Sequence, residues 1–268
     1  MNTKFSLGII AGLGLLPEIF VTEVKNVDFY IISFKNYFNK KILNSSIKFK
    51  ILTEWNLNEV IDFFKQNNVK NVVFLGYIPH KILLEDKIKL DIKAQCVFNK
   101  LKKNSAMEIF KGLVEEFNNS AIQIDTIDKY IKNSFAEKGE INGLKLTEDE
   151  FENIKFGYEI AKEIARLDIG LTVVMKNKIV IAVEALEGTD KCILRAVKLA
   201  GKDCCVVKVA RPNQDMRFDL PVIGPTTVKV LNFAKAKVLA VESEKTLILN
   251  KEYVIEKTKK LGIKLYGI

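Results

Sequence analysis

The stretch Arg211-Pro-Asn-Gln214-Asp215-Met-Arg217-Phe-Asp219-Leu-Pro221-Val-Ile-Gly224-Pro225-Thr226-Thr227 carries two arginines, two acids, a glutamine and three prolines. It lies between an apolar run, Cys204 to Val209, and a helical pattern that starts near Thr226. A loop this polar and this stiffened by proline is costly unless it holds a geometry. A guanidinium offers a planar fork for phosphate oxygens, which the point charge of lysine does not. Arg217 and Asp219 are two apart, so in an extended segment they project the same way. Asp219 with a hard cation such as Mg²⁺, and Arg217 with a phosphate, would form a phosphoryl-transfer site. A solvated, salt-bridged loop is the plainer reading of the same residues.

Two further segments carry chemistry. Glu184-Ala-Leu-Glu187-Gly188-Thr189-Asp190 closes an apolar run and opens a helix. Thr189 or Asp190 is expected to cap that helix, with Gly188 allowing the bend. Capping leaves Glu184 and Glu187 unexplained, and a helix N-terminus beside a hydroxyl also suits phosphate. Gly8-x-x-x-Gly12-x-Gly14 follows the first apolar run, and such a turn lets backbone N–H groups approach a phosphate. The dinucleotide fingerprint is incomplete, because Pro17 stands where its third glycine belongs and the next strand ends without an acid for a ribose. A tight turn packing strand on helix explains the same glycines.

The elements that must position these residues read as α/β in two parts. Phe5 to Ala11, Val27 to Phe34 and Asn71 to Gly76 are continuous apolar runs between helical patterns. They predict a parallel sheet covered on both faces, that is, a Rossmann-like N-terminal domain over 1–133. A linker is expected over 134–148, where Gly139, Asn142 and Gly143 break the periodicity. Thr147-Glu-Asp-Glu150 then reads as a helix start, with Phe151 to Arg166 amphipathic behind it. Leu171 to Met175 and Ile179 to Val183 flank the turn-like Lys176-Asn-Lys178 and predict a hairpin. The domain over 149–268 is thus expected to hold a mixed sheet and the catalytic chemistry.

Composition excludes several classes. With 48% hydrophobic residues and five prolines, the chain is too apolar and too proline-poor for disorder. Four cysteines and one histidine, without CxxC or HxxxH spacing, make neither a disulfide framework nor a zinc site. Cys204 and Cys205 read as inert core, and His80 as incidental. No run is long and apolar enough for a spanning helix. The net charge of +9 predicts an anionic partner, yet all four arginines (166, 195, 211 and 217) lie in the second half. Seven lysines between Lys81 and Lys103, interleaved with apolar residues, suggest a solvated helical face or, more sharply, a membrane-surface patch. The spread of charge and the lack of a stacking aromatic motif argue against nucleic acid.

Taken in order, Leu7 to Pro17, Arg166-Leu-Asp-Ile-Gly170, Val183 to Asp190 and Pro212 to Gly224 resemble one family, the LpxI-type UDP-2,3-diacylglucosamine pyrophosphatases of lipid A synthesis. The resemblance covers nearly the whole chain. It implies a two-domain enzyme that uses Mg²⁺ to hydrolyse UDP-2,3-diacylglucosamine to UMP and 2,3-diacylglucosamine 1-phosphate, water attacking the α-phosphorus. The family's metal-linked catalytic aspartate falls on Asp219. The candidate substrate-binding set is Gly12, Gly14, Gly188, Thr189, Asp190, Arg211, Gln214, Asp215, Arg217, Thr226 and Thr227. Glu187, Asp190 and Asp215 stay open as partners of Asp219. The implied setting is cytoplasmic, peripheral to the inner membrane, with a homodimer possible. Arg211 stands where the family usually has Lys, and Leu171 where it has Gln. The first-domain loops Gly76 to His80 and Lys102 to Met107 match the family poorly. The alternative, from another class, is a non-catalytic nucleotide-sugar- or dinucleotide-binding regulatory module.

Overall fold

The computed structural model describes residues 5–77, 90–99 and 106–268. His80 and most of the lysine-rich stretch of 81–103 lie outside them. The chain forms two compact units. The first comprises Met1–Ile131 together with Arg217–Asp219, and the second Lys132–Met216 and Leu220–Ile268.

The first unit runs β1 (Phe5–Ala11), α1 (Leu16–Glu23), β2 (Val27–Phe34), a short 3-10 turn, β3 (Lys48–Leu52), α2 (Leu57–Gln66) and β4 (Asn71–Leu75). It continues with α3 (Ile92–Asn99), α4 (Ala106–Asn119), β5 (Gln123–Ile124) and α5 (Asp128–Ile131). Its strands pair in parallel in the order β3-β2-β1-β4-β5. This is the doubly wound arrangement that the continuous apolar runs predict. Alternate residues of each strand face opposite ways. Ile10, Ile32 and Phe34 join Val60, Phe64 and Phe117 of α2 and α4 in one core. Phe20 of α1 packs edge-on to Tyr130 at 5.7 Å between ring centroids.

Between that sheet face and α2, α3 and α4 lies a cavity of about 230 Å³. Its walls include Ile10, Phe34 and Phe74 from the sheet and Val60, Phe98, Phe110 and Leu113 from the helices.

The second unit opens with β6 (Gly139–Glu140) and α6 (Glu148–Arg166), followed by β7 (Thr172–Lys176), β8 (Ile179–Val183), α7 (Thr189–Ala200) and β9 (Cys205–Lys208). Then come β10 (Val222–Ile223), α8 (Pro225–Phe233), β11 (Val238–Val241), β12 (Leu247–Ile248), α9 (Lys251–Lys260) and β13 (Lys264–Gly267). Its main sheet has the order β6-β13-β11-β9-β7-β8, and β10 pairs with β12 apart from it. The three strands β9, β11 and β13 are parallel, while β7 runs antiparallel to both β8 and β9. The sheet is therefore mixed, as expected. The hairpin turns through Asn177 and Lys178 at φ +51° and +60°, both left-handed, the conformation of a two-residue turn whose twist suits its strands.

Helix α6 begins at a capping box. Thr147 accepts from the Glu150 N–H, and the Glu150 carboxylate accepts from the Thr147 N–H. α6 covers one sheet face through Ile154, Ala161 and Ala165. α7, α8 and α9 cover the other through Cys192, Leu231 and Val254. Burial pushes the thiols of Cys192 and Cys205 up to about 12, so both are inert core. Within 134–148, β6 pairs with β13, and buried Asn142 donates to Thr258 Oγ1 and the Ile263 carbonyl.

Candidate functional site

One end of the second sheet collects its charged side chains. Thr172 opens β7 and pairs in register with Lys208, the last residue of β9. Glu184 follows β8 at the same level, its N–H bonded to the Thr172 carbonyl. Residues level across neighbouring strands project to one face. Thr172, Glu184 and Lys208 accordingly stand on the α7 side, continuing the inward positions Val174, Ala182 and Val206. The apolar alternation of three strands thus ends in a hydroxyl, a carboxylate and an ammonium beneath the start of a helix.

Thr189, the first residue of α7, joins them. Its hydroxyl donates to Glu184 Oε1 (3.0 Å) and accepts from Lys208 Nζ (2.7 Å), with Thr172 Oγ1 at 3.2 Å. This corrects the expected cap. Gly188 is the N-cap, at φ +83°, and no side chain caps α7. The Thr189 hydroxyl is drawn down to Lys208 and Glu184, so the first N–H groups of α7 keep no side-chain acceptor. Glu184 Oε2 accepts from the Leu171 N–H at 3.2 Å, which ties Gly170 to the hairpin end. Glu187 takes the Arg195 guanidinium at 2.5 Å, and that contact holds its carboxyl below the usual range. Burial raises the pKa of Asp190, with Lys208 opposing and Glu184 adding to the rise.

Lys208 is 6% exposed. Among the described residues no carboxylate lies within ion-pair distance of it, and one hydroxyl takes one of its three protons. A buried ammonium is costly unless paired. Four N–H groups at a helix start and a buried cation favour negative charge in the same place.

On the other face of the same sheet end a carboxylate is ion-paired to two lysines. Glu242, just past β11, accepts from Lys162 Nζ (2.9 Å), Lys245 Nζ (2.9 Å) and the Ala210 N–H (2.9 Å). Burial would raise its pKa, but those three donors outweigh it and the carboxyl lies below its ordinary value. Lys162 also donates to the Ala210 carbonyl at 2.8 Å. The pair grips the backbone where the polar loop begins. Arg211 follows, its Nε on Asp168 Oδ1 at 2.7 Å, which brings together two segments 43 residues apart in sequence. Gln214 accepts from the Arg211 N–H and donates to the Asp215 carbonyl, folding the loop on itself. Thr226 and Thr227 fall in the first turn of α8, which likewise has no side-chain cap.

Asp219 is exposed and left-handed, at φ +47°. Among the described residues, no three His, Cys, Asp or Glu side chains gather to hold a metal ion. Mg²⁺ keeps several waters and takes one or two carboxylates plus substrate phosphates. Asp219 presents a single exposed carboxylate, and a hard cation there would need its remaining ligands from substrate phosphates and water.

The N-terminal glycine turn lies in the first unit and is differently spent. The Gly12 N–H donates to the Leu75 carbonyl (2.8 Å), and Leu13 and Tyr77 exchange two backbone bonds (2.9 and 3.0 Å). A Cβ on Gly12 would meet the Tyr77 oxygen at 2.6 Å. At the end of β2, Ser33 gives its hydroxyl to the Ala11 carbonyl.

Lys208 and Thr172 are the residues that motif reading passed over. Their signal is positional, since each is a polar residue at an inward place at the end of an otherwise apolar strand.

Fold and site together define a two-unit α/β protein with a buried lysine, linked through a threonine hydroxyl to a glutamate, at the strand ends of its C-terminal sheet. The chain belongs to the LpxI family: residues 6–134 match the LpxI N-terminal domain and residues 137–266 the LpxI C-terminal domain. It is similar to the UDP-2,3-diacylglucosamine pyrophosphatase LpxI of Caulobacter vibrioides, with 27% identity over 168 residues. The match spans 60% of each chain, so less than two thirds of that relative's length is covered. Among the described residues no helix is long and apolar enough to cross a membrane.

Proposed function

We propose that the protein hydrolyses the pyrophosphate of UDP-2,3-diacylglucosamine to UMP and 2,3-diacylglucosamine 1-phosphate, a step in lipid A synthesis. Family membership along almost the whole chain supports the reaction class. The observation that carries the site is buried Lys208 under the uncapped start of α7. In the reaction, a water oxygen adds to the α-phosphorus and the bridging P–O bond breaks. The oxygen leaves on UMP, and the leaving group is the sugar phosphate. Negative charge grows on the phosphate oxygens, and fixed donors aimed at it lower the barrier. Lys208, the Thr189 hydroxyl and the first N–H groups of α7 are such donors. Arg211, steered by Asp168, is a further cation for the second phosphate. Mg²⁺, when bound at Asp219, supplies Lewis-acid polarisation of the phosphoryl oxygens. A diacyl substrate places the work at a membrane surface, so we assign the protein to the cytoplasmic side of the inner membrane, peripherally held.

The test is UMP release by the purified protein from UDP-2,3-diacylglucosamine with Mg²⁺, run in ¹⁸O-water. UMP is expected to carry the label, EDTA to stop turnover, and Asp219→Ala to abolish it with the melting temperature unchanged. Tight UMP binding without turnover under any metal would instead support the non-catalytic nucleotide-sugar-binding module. Full turnover by Asp219→Ala would remove the metal assignment.

A further inference from the structure

The first unit contains a feature that phosphate chemistry does not use. The cavity between its sheet and α2–α4 has almost wholly apolar walls. Asn56, the polar residue at its edge, has its side-chain oxygen committed to the Glu59 N–H as the cap of α2. Several aromatic and aliphatic side chains that line it, among them Trp55, Phe74 and Leu113, are only partly buried although they belong to the core. Protein interiors are close-packed, and voids larger than a water molecule are few. Water gains nothing in a space without polar partners. The cavity's volume of about 230 Å³ is many times what a single ordered water needs. Such walls offer no partner to a sugar hydroxyl or a phosphate, and accept a flexible hydrocarbon.

We propose that this cavity holds one acyl chain of a lipid substrate. The choice of ligand class rests on the hydrolase reading above, in which the substrate carries two such chains, while the shape and apolarity of the site do not. One chain would run across the face made by Ile10 and Phe34, under Phe98, with the Phe74–Phe110 ring pair closing one end. Trp55, the sole tryptophan of the chain, stacks on Phe34 with centroids 4.3 Å apart and lines the same space. It is therefore a built-in reporter. Ala94, on α3, presents the smallest side chain of the wall and marks the place where added bulk would fill the void.

The experiment has two arms, on the full chain. In the first, Trp55 fluorescence is titrated with 12-bromododecanoic acid and, as control, dodecanoic acid. Contact quenching by the bromine is expected to saturate, and Ala94→Phe to weaken the apparent affinity at least tenfold. In the second, KM for long-chain UDP-2,3-diacylglucosamine is expected to rise at least tenfold in Ala94→Phe, with turnover of a chain-free UDP-glucosamine unchanged. Leu113→Phe, a smaller addition to the same cavity, serves if Ala94→Phe does not fold. Saturable quenching without turnover of either UDP-sugar would keep the acyl site and remove the hydrolase reading. Normal turnover with no excess quenching by the brominated acid, or with filled variants that bind and react like wild type, would overturn the acyl site and leave the hydrolase reading standing.

Discussion

Each unit has a glycine-bearing turn between a strand and a helix, and the two turns look alike on paper: Gly12-Leu-Gly14 before α1 and Gly188-Thr-Asp190 before α7. In the first, both backbone amides at the bend are bonded to the β4 end, at Leu75 and Tyr77. Pro17 removes another N–H from the first turn of α1. Glu18 adds a carboxylate there, held below its ordinary pKa mainly by the Lys41 ammonium. In the second, nothing caps α7, and a buried lysine stands beneath it without a carboxylate partner among the described residues. An anion brought to the first turn would meet a proline and a like charge, whereas at the second it would meet a buried cation set beside Glu184 and Asp190. A glycine before a helix is thus a statement about backbone room or conformation, and the neighbours decide whether it binds anything.

The largest expected effect tests that contrast directly. Lys208→Met keeps the stem and removes the charge. If Lys208 serves the phosphate, kcat/KM should fall about 100-fold or more, the scale for losing one preorganised donor. Its melting temperature should hold or rise, because a buried charge without a direct ion pair among the described residues is replaced by an apolar chain. Enzyme kinetics and thermal melts on the same sample read both. A variant that melts lower and turns over normally would make Lys208 structural and erase the contrast.

The next effect separates the two uses of glycine. Gly12→Ala puts a methyl against the Tyr77 carbonyl and should cost roughly 1–3 kcal/mol, the range for overpacking, with turnover per folded molecule unchanged. Gly188→Ala meets nothing within 4 Å but must hold φ +83°, a strain of about 1–2 kcal/mol. It should lower kcat/KM as well, because it shifts the start of α7. Denaturant melts together with kinetics distinguish the pair, and equal kinetic effects in both would show that the first turn also touches substrate.

What the sequence made legible follows from range. The capping box at Thr147 and Glu150, the hairpin around Asn177 and the parallel runs of β1, β2 and β4 are set by residues within a few positions of each other. They read off directly. β3 did not, because an edge strand with alternating lysines (Lys48, Lys50) looks like a solvated loop. β6, β10 and β12 are two residues each and carry no period. At the site, Gly188, Arg211 and the polar loop stood out by residue type. The Thr189 cap was misread because its competitors, Lys208 and Glu184, approach through the fold. The Arg211–Asp168 pair likewise joins residues that only the β7–β9 pairing brings close.

The smallest effect concerns the ion-paired cluster on the opposite face and serves as the control. The pKa of Glu242 is lowered in the folded chain, because donation from Lys245, Lys162 and the Ala210 N–H outweighs burial. A lowered carboxyl pKa stabilises the fold above the unfolded value of about 4.5. That contribution is lost as pH falls through the folded pKa. Glu242→Gln keeps an acceptor for Ala210 but not the charge, and its melting temperature at pH 7 should drop by roughly 2–4 °C, equivalent to about 1 kcal/mol. The gap between variant and wild type should narrow as pH falls from about 4.5 and close only once pH has passed through the lowered folded pKa, where the native carboxylate is itself protonated. Lys208 predicts the reverse at neutral pH, since removing its charge should cost no stability. If both substitutions lower the melting temperature alike, then charge balance does not distinguish the two faces of this sheet end, and the case for an anion above Lys208 loses its physical basis.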